Sequence, residues 1–169
     1  MVFRFPRTCF YFLCTVENEI SIRKATPSDC LKVMELIREL AVFEKAEKEL
    51  LVTAEELQEH AFGEHPFVEI LVAEVNREVR GVALFYEKYS TWKGPAIHLE
   101  DLIVAEAHRS KGIGAALLDE VIRTGKSRNY RRVYWQVLDW NTDAVRFYER
   151  YKARFEAEWL NVYVELKGS

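Results

Sequence analysis

Residues 99–121 read Leu-Glu-Asp-Leu-Ile-Val-Ala-Glu-Ala-His-Arg-Ser-Lys-Gly-Ile-Gly-Ala-Ala-Leu-Leu-Asp-Glu-Val. The stretch divides into a strand, a basic turn and a helix. Leu102 to Ala105 is a short apolar run with β-branched residues, of the length of a buried strand. Ile113, Leu117 and Val121 recur at helical spacing, and Ala116 and Leu118 widen that stripe. Between them stands Arg109-Ser110-Lys111-Gly112-Ile113-Gly114. Gly112 and Gly114 carry no Cβ, so backbone there can approach a ligand closely. The first N–H groups of a helix have no helical acceptor, and the helix dipole favours an anion beside them. Arg109 and Lys111 add positive charge. The pattern predicts a pyrophosphate cradle. It lacks the third glycine of a dinucleotide site and the Gly-Lys-Ser/Thr ending of a P-loop.

On the N-terminal side, Ile20 to Lys24 alternates apolar and polar residues, as a half-buried strand does. Thr26-Pro27-Ser28-Asp29 reads as a helix start, with Thr26 as cap, Pro27 at the first helical position and Asp29 in the first turn. Val33, Ile37, Leu40 and Ala41 form the expected buried stripe, with Met34 beside it. The helix closes on Phe43 and Glu44, an aromatic and a carboxylate suited to lining a pocket for an ammonium group. Thr53-Ala54-Glu55-Glu56 is a capping box for a short second helix that ends near Gly63. Glu69 to Asn76 and Val79 to Tyr89 predict a hairpin, in which Gly81 marks a bulge or a close approach. A loop at Trp92-Lys93-Gly94-Pro95 leads into a strand over 96–105. Glu100 and Asp101 are neighbours on it, so regular alternation sends them to opposite faces. Carboxylates inside an apolar strand are costly unless paired or used.

On the C-terminal side, a strand is expected over 131–139, including Tyr134, Trp135 and Gln136. A helix follows, capped by Asn141 or Thr142, with Ala144, Phe147 and Tyr148 on its apolar face. An irregular connection over 151–158 and a last strand over 159–166 complete the order β-α-α-β-β-β-α-β-α-β. Hairpins followed by β-α-β units make this a mixed α/β fold, with a mostly antiparallel central sheet and helices on both faces.

The composition sets the remaining bounds. With 169 residues, 49% hydrophobic and 30% charged, the chain can bury a core as one domain. A net charge of −3 argues against a general nucleic-acid binder. Cys9, Cys14 and Cys30 give neither a disulfide framework nor zinc spacing. We therefore expect a reducing, cytoplasmic setting and no metal. Residues 1–18 are aromatic and apolar, but the apolar run is too short for a signal peptide or a membrane span, and Pro6 interrupts it. They read as an arm or an upstream-start extension, leaving a single domain over 19–169.

Two motifs now carry a resemblance. Arg109, Gly112 and Gly114 match the R/Q-x-x-G-x-G/A turn of the GNAT acetyltransferases, and Asn141, Ala144 and Phe147-Tyr148 match that family's second motif. Within the superfamily the chain is similar to diamine (spermidine/spermine) N-acetyltransferases at Glu39-Leu40-Ala41, Phe43-Glu44, 62–67, 71–75, Leu99-Glu100-Asp101 and Asp139-Trp140-Asn141. The resemblance implies a GNAT fold and acetyl-CoA as co-substrate, with direct transfer to the primary amine of a small polyamine. It implies that Leu102, Ile103 and Val104 lend backbone groups to the pantetheine and carbonyl. Arg109, Ser110, Lys111, Gly112, Ile113, Gly114 and Ala115 would hold the pyrophosphate. Asn141, Ala144 and Arg150 would make further cofactor contacts. Tyr148 maps onto the acid for the departing thiolate, and Glu100 onto the group that binds the amine and relays its proton. Phe43, Glu44, Trp92, Asp101, Tyr134, Trp135 and Gln136 are candidates for the acceptor site. Relatives are commonly homodimers.

The chain departs from the family pattern at three places. Phe43 replaces a tyrosine, Ser110 a glycine of the turn, and Lys152 the glycine after the Phe-Tyr helix, so that helix is expected to end by another route. Two other readings stand beside the polyamine one. They are acetylation of another amine, such as a lysine-like amino acid or a protein amino group, and a CoA-binding module without turnover.

Overall fold

A two-residue turn organises the first long hairpin. Asn76 and Arg77 both take left-handed backbone angles, with φ of 53° and 64°. A type I′ turn needs that of both its central residues, and its twist matches the strands it joins. The strands are β2 (Glu69–Val75) and β3 (Glu78–Ser90), with Val75 opposite Glu78. This computed structural model describes residues 19–166, which fall into two compact units, 19–135 and 136–166. The extension expected over 1–18, with Cys9 and Cys14, lies outside the described residues.

In the first unit, β1 (Ile20–Lys24), β2, β3, β4 (Gly94–Val104) and β5 (Val133–Tyr134) form one sheet in sequence order. Every pairing is antiparallel except β4 with β5, which is parallel. The expected strand over 131–139 shrinks to Val133–Tyr134, because its ladder to β4 holds only at Ile97 and His98. Helices cover both faces. Cys30, Val33, Met34 and Leu36 of α1 (Cys30–Glu44) share one core with Ile70, Val72, Val82, Leu84 and Ile103. Leu36 is fully buried, though it lies outside the stripe anticipated from spacing. On the other face, α3 (Ile113–Ser127) buries Ile113, Leu117, Leu118 and Val121. Gly81 permits that approach: a Cβ there would stand 2.9 Å from Ile113 Cγ2 and 3.0 Å from Leu117 Cδ1. Beside Gly81 the register shifts by one residue, so both readings of this glycine hold.

Thr26-Pro27-Ser28-Asp29 does start a helix, by way of a separate 3₁₀ turn over Pro27–Asp29 before α1. Asp29 accepts from the Thr26 backbone N–H at 2.7 Å. It also receives both terminal nitrogens of Arg23, at 2.7 and 2.9 Å. Lys45, at φ 59°, closes α1 with its N–H on the Ala41 and Val42 carbonyls. The capping box of α2 (Ala54–Phe62) forms as expected: Thr53 N–H donates to Glu56 Oε2 at 2.8 Å, and Glu56 N–H to Thr53 Oγ1 at 3.2 Å.

In the second unit, Asn141 Oδ1 caps α4 (Thr142–Glu149) by accepting from the Ala144 N–H at 3.2 Å. The Phe147 ring lies 5.1 Å from Tyr148 and 5.4 Å from Tyr151. Lys152 adopts the left-handed cap itself, at φ 55°, and donates its N–H to the Glu149 carbonyl at 2.9 Å. The helix therefore ends in the backbone conformation that glycine favours, without the glycine. No strand forms over Trp159–Leu166. Its alternation is strand-like, but a strand needs a ladder partner, and Trp159, Leu160, Val162, Tyr163, Val164 and Leu166 are 72% to 88% exposed.

Candidate active site

The register of β3 and β4 builds the acidic end of the site. Leu84 stands opposite Asp101 and Phe85 opposite Leu99, so Glu100 is the extra residue of a β-bulge. A bulge suspends strict alternation. Glu100 and Asp101 therefore both line one cavity of about 390 Å³, together with Met34, Leu57, His60 and Leu84. This overturns the expectation that only one of the pair could face a given pocket. Alternation holds in a regular strand, and this strand is irregular at that residue.

The carboxylates there differ in their surroundings. His98 Nε2 lies 3.4 Å from Glu100 Oε2. The His98 hydrogen bond, assisted by the Tyr86 hydroxyl, holds Glu100 below the usual carboxylate range. Tyr86 in turn stacks on His98 at 5.0 Å. Asp101 is pushed up to about 6, first by burial and then by the charges of Glu100 and Glu44. Burial also raises Glu44, at the C-terminal end of α1. Glu44, Glu100 and Asp101 thus form one negative cluster. It is suited to receive a cation, and Asp101 within it titrates close to neutrality.

At the other end of β4 the chain enters the glycine turn. Ser110 and Gly112 both have positive φ, 60° and 85°. A Cβ on Gly112 would meet nothing within 4 Å, and one on Gly114 would make an ordinary contact with Val104 Cγ2 at 3.6 Å. Within this chain, then, Gly112 is required for its backbone angle rather than for clearance. Ala116 donates its N–H to the Gly112 carbonyl, at 3.0 Å, and so opens the helical ladder of α3. Arg109 Nε donates to the Val104 carbonyl at 3.2 Å, and its guanidinium sits 5.6 Å from the centre of the Phe43 ring. Lys111 Nζ donates to the Ala107 carbonyl at 2.9 Å. Leu102, Ile103 and Val104 lie beyond the β4–β5 ladder, so on that side they have no strand partner among the described residues. An open strand edge leading into a helix N-terminus fits an extended, anion-headed molecule such as a pantetheine diphosphate.

The model of the acetyltransferase (GNAT) family matches residues 32–152. The chain belongs to the GNAT acetyltransferase family. It is 38% identical over 136 residues to thialysine N-epsilon-acetyltransferase of Mus musculus, across 76% of this chain and 80% of that one. It is 31% identical to the spermidine/spermine N(1)-acetyltransferase-like protein 1 of Homo sapiens, across 79% of this chain and 20% of that protein. Among solved structures, an aminoglycoside acetyltransferase from an uncultured soil metagenomic sample matches with a TM-score of 0.72 at 21% identity, over 90% of this chain and 99% of that one.

The GNAT motifs divide between the units. The cradle, Glu44, Glu100 and Asp101 lie in the first, and Asn141, Ala144, Tyr148 and Arg150 in the second. Burial pushes the Tyr148 phenol up to about 12, so it stays protonated at neutral pH. Arg150 lies 5.1 Å over the Phe147 ring. Tyr134 pairs with His98 in register and carries Lys88 Nζ at 4.9 Å and Arg132 Cζ at 5.2 Å. Trp135 ends the first unit, and Gln136 opens the second, with its Nε2 on Asn161 Oδ1 at 2.5 Å. Trp92 stands 80% exposed in the loop between β3 and β4, and it is not among the cavity's lining residues. Sequence reasoning missed Tyr86 and His98. The signal was present as His98-x-Glu100, two residues apart on a strand, opposite an aromatic one strand away.

Proposed function

We propose that this protein transfers the acetyl group of acetyl-CoA to the primary amine of a small cationic acceptor, by direct attack and without an acyl-enzyme. One observation carries the reading: Glu100 and Asp101 line a cavity large enough for a small amine, and Glu44 lies close enough for its charge to raise Asp101. GNAT enzymes use acetyl-CoA as co-substrate, which supplies the activated acetyl thioester. The rest falls to the chain's own residues.

Glu100, held ionised by His98 and Tyr86, binds the incoming ammonium. Asp101 accepts its proton, directly or through water, because a carboxylate near 6 is a better base than an ordinary one. Leu102, Ile103 and Val104 offer backbone groups along the open edge of β4. The turn from Arg109 to Ala115 holds the pyrophosphate, after Arg109 and Lys111 exchange their present carbonyl partners for it. Tyr148, protonated across the physiological range, supplies a proton to the departing thiolate. Asn141, Ala144 and Arg150 take the cofactor roles that the second motif assigns them.

Two acceptor classes follow. The acidic cluster can receive the ammonium head of a diamine or polyamine. The 38% identity to a thialysine acetyltransferase across most of both chains favours a lysine-like amino acid. Acetyl-CoA consumption with putrescine, spermidine, spermine, thialysine and lysine separates them. Turnover that Tyr148→Phe largely abolishes supports the mechanism. Tight CoA binding with no turnover on any amine refutes it.

A further inference from the structure

The cavity behind the two carboxylates is not evenly polar. Its walls are Met34 and Ile37 from α1, Leu57 from α2, and Phe67, Val68 and Leu84 from the segments beside and within the sheet. Glu100 and Asp101 are successive residues of β4, so the carboxylates on the lining stand together. His60 is the one other polar side chain on the lining, and its ring is engaged edge-on by Phe67, with centroids 5.6 Å apart. Glu44 reinforces the same charged end through its effect on Asp101.

We infer that this cavity selects amines with one ammonium head and an apolar body: alkyl or arylalkyl monoamines in preference to diamines. The inference rests on the acetyltransferase reading and specifies its acceptor. The head satisfies the carboxylates, and the body removes apolar surface from water against Met34, Ile37, Leu57 and Leu84. A diamine of equal length carries a second ammonium into the apolar part, where no carboxylate lines the wall. Against Met34, Leu57 and Leu84, each no more than 6% exposed, that ammonium gives up water and gains no partner, which is unfavourable. The walls therefore discriminate by what they lack, while the carboxylates bind either class by the head.

The test is kcat/KM at saturating acetyl-CoA for butylamine, pentylamine and hexylamine, against putrescine, cadaverine and 1,6-diaminohexane. Each added methylene is expected to raise the monoamine value about three- to fourfold, or about tenfold across the series. The diamine series is expected to stay flat. Val52, on the cavity wall yet 44% exposed, tolerates a charge, and Val52→Glu is expected to move the preference toward diamines. Diamines that exceed the matching monoamines in the unchanged protein overturn the inference and leave the acetyltransferase reading standing. Acetyl transfer to no amine sinks that reading instead. Calorimetry then decides the cavity's occupant: hexylamine bound more tightly than 1,6-diaminohexane supports the inference, and equal or reversed affinities overturn it.

Discussion

Asp29 and Asp101 are carboxylates of the same unit, both largely withdrawn from water, and their environments drive them in opposite directions. Asp29, just ahead of α1, meets the Arg23 guanidinium and the Thr26 N–H, which lower it to about 2. Asp101, near Glu44 at the far end of α1, has two carboxylates as its charged neighbours and rises to about 6. The first is a charge the fold uses. The second is a charge the fold tolerates at a cost. Relative to an ordinary value of 3.8, the shift at Asp101 is worth about 3 kcal/mol against folding above pH 6. Under the mechanism we propose, that cost on a cavity wall is stability given up for chemistry.

The largest expected effect comes from Asp101→Asn. Loss of the proton acceptor should lower kcat/KM for the amine by about a hundredfold or more, while chemical denaturation at pH 7 shows the fold stabilised by about 1–3 kcal/mol. A variant that loses activity and stability together would break the comparison. Asp29→Asn should do the reverse, leaving turnover intact and costing about 2 kcal/mol at neutral pH. The sign follows from the lowered value. The Asp29 contribution is present above about pH 4 and fades as pH falls through about 2, so the two proteins should converge in acid. Asp101 runs the other way, its penalty absent below about pH 4 and complete above about pH 6. Glu44→Gln sharpens the contrast. Removing one of the charges that raise Asp101 should move the acid limb of the rate profile to lower pH without deleting it. Lys152→Gly is expected to give the smallest effect, a gain of about 1 kcal/mol in thermal unfolding, by relieving a left-handed lysine.

Local signals made much of this fold legible. The Thr53 capping box, the Asn141 cap and the glycine turn before α3 are read from neighbours in sequence, and all three form. The alternation of β2 and β3 is equally local, and their hairpin forms. Features that depend on distant partners were not legible. The bulge that brings Glu100 beside Asp101 exists only in the register of β4 against β3, which no window around residue 100 contains. Leu36 is buried because of what α1 covers, beyond its own periodicity. The segment Trp159–Leu166 has a strand's composition without a strand's partner. Lys152 keeps a glycine's backbone angle, so the residue type alone misjudged how α4 ends. In the site, the carboxylates and the turn could be nominated from sequence. The shared cavity and the pairing of Tyr86 with His98 required the sheet.

The most direct test of the account is the pH dependence of kcat/KM for a primary amine at saturating acetyl-CoA, from about pH 5 to about pH 8, in the unchanged protein and in Asp101→Asn. The account predicts activity that rises with pH through a limb near 6 as Asp101 ionises, and a limb that disappears in the variant. A limb near 6 that survives in Asp101→Asn, or an unchanged protein without one, would contradict it.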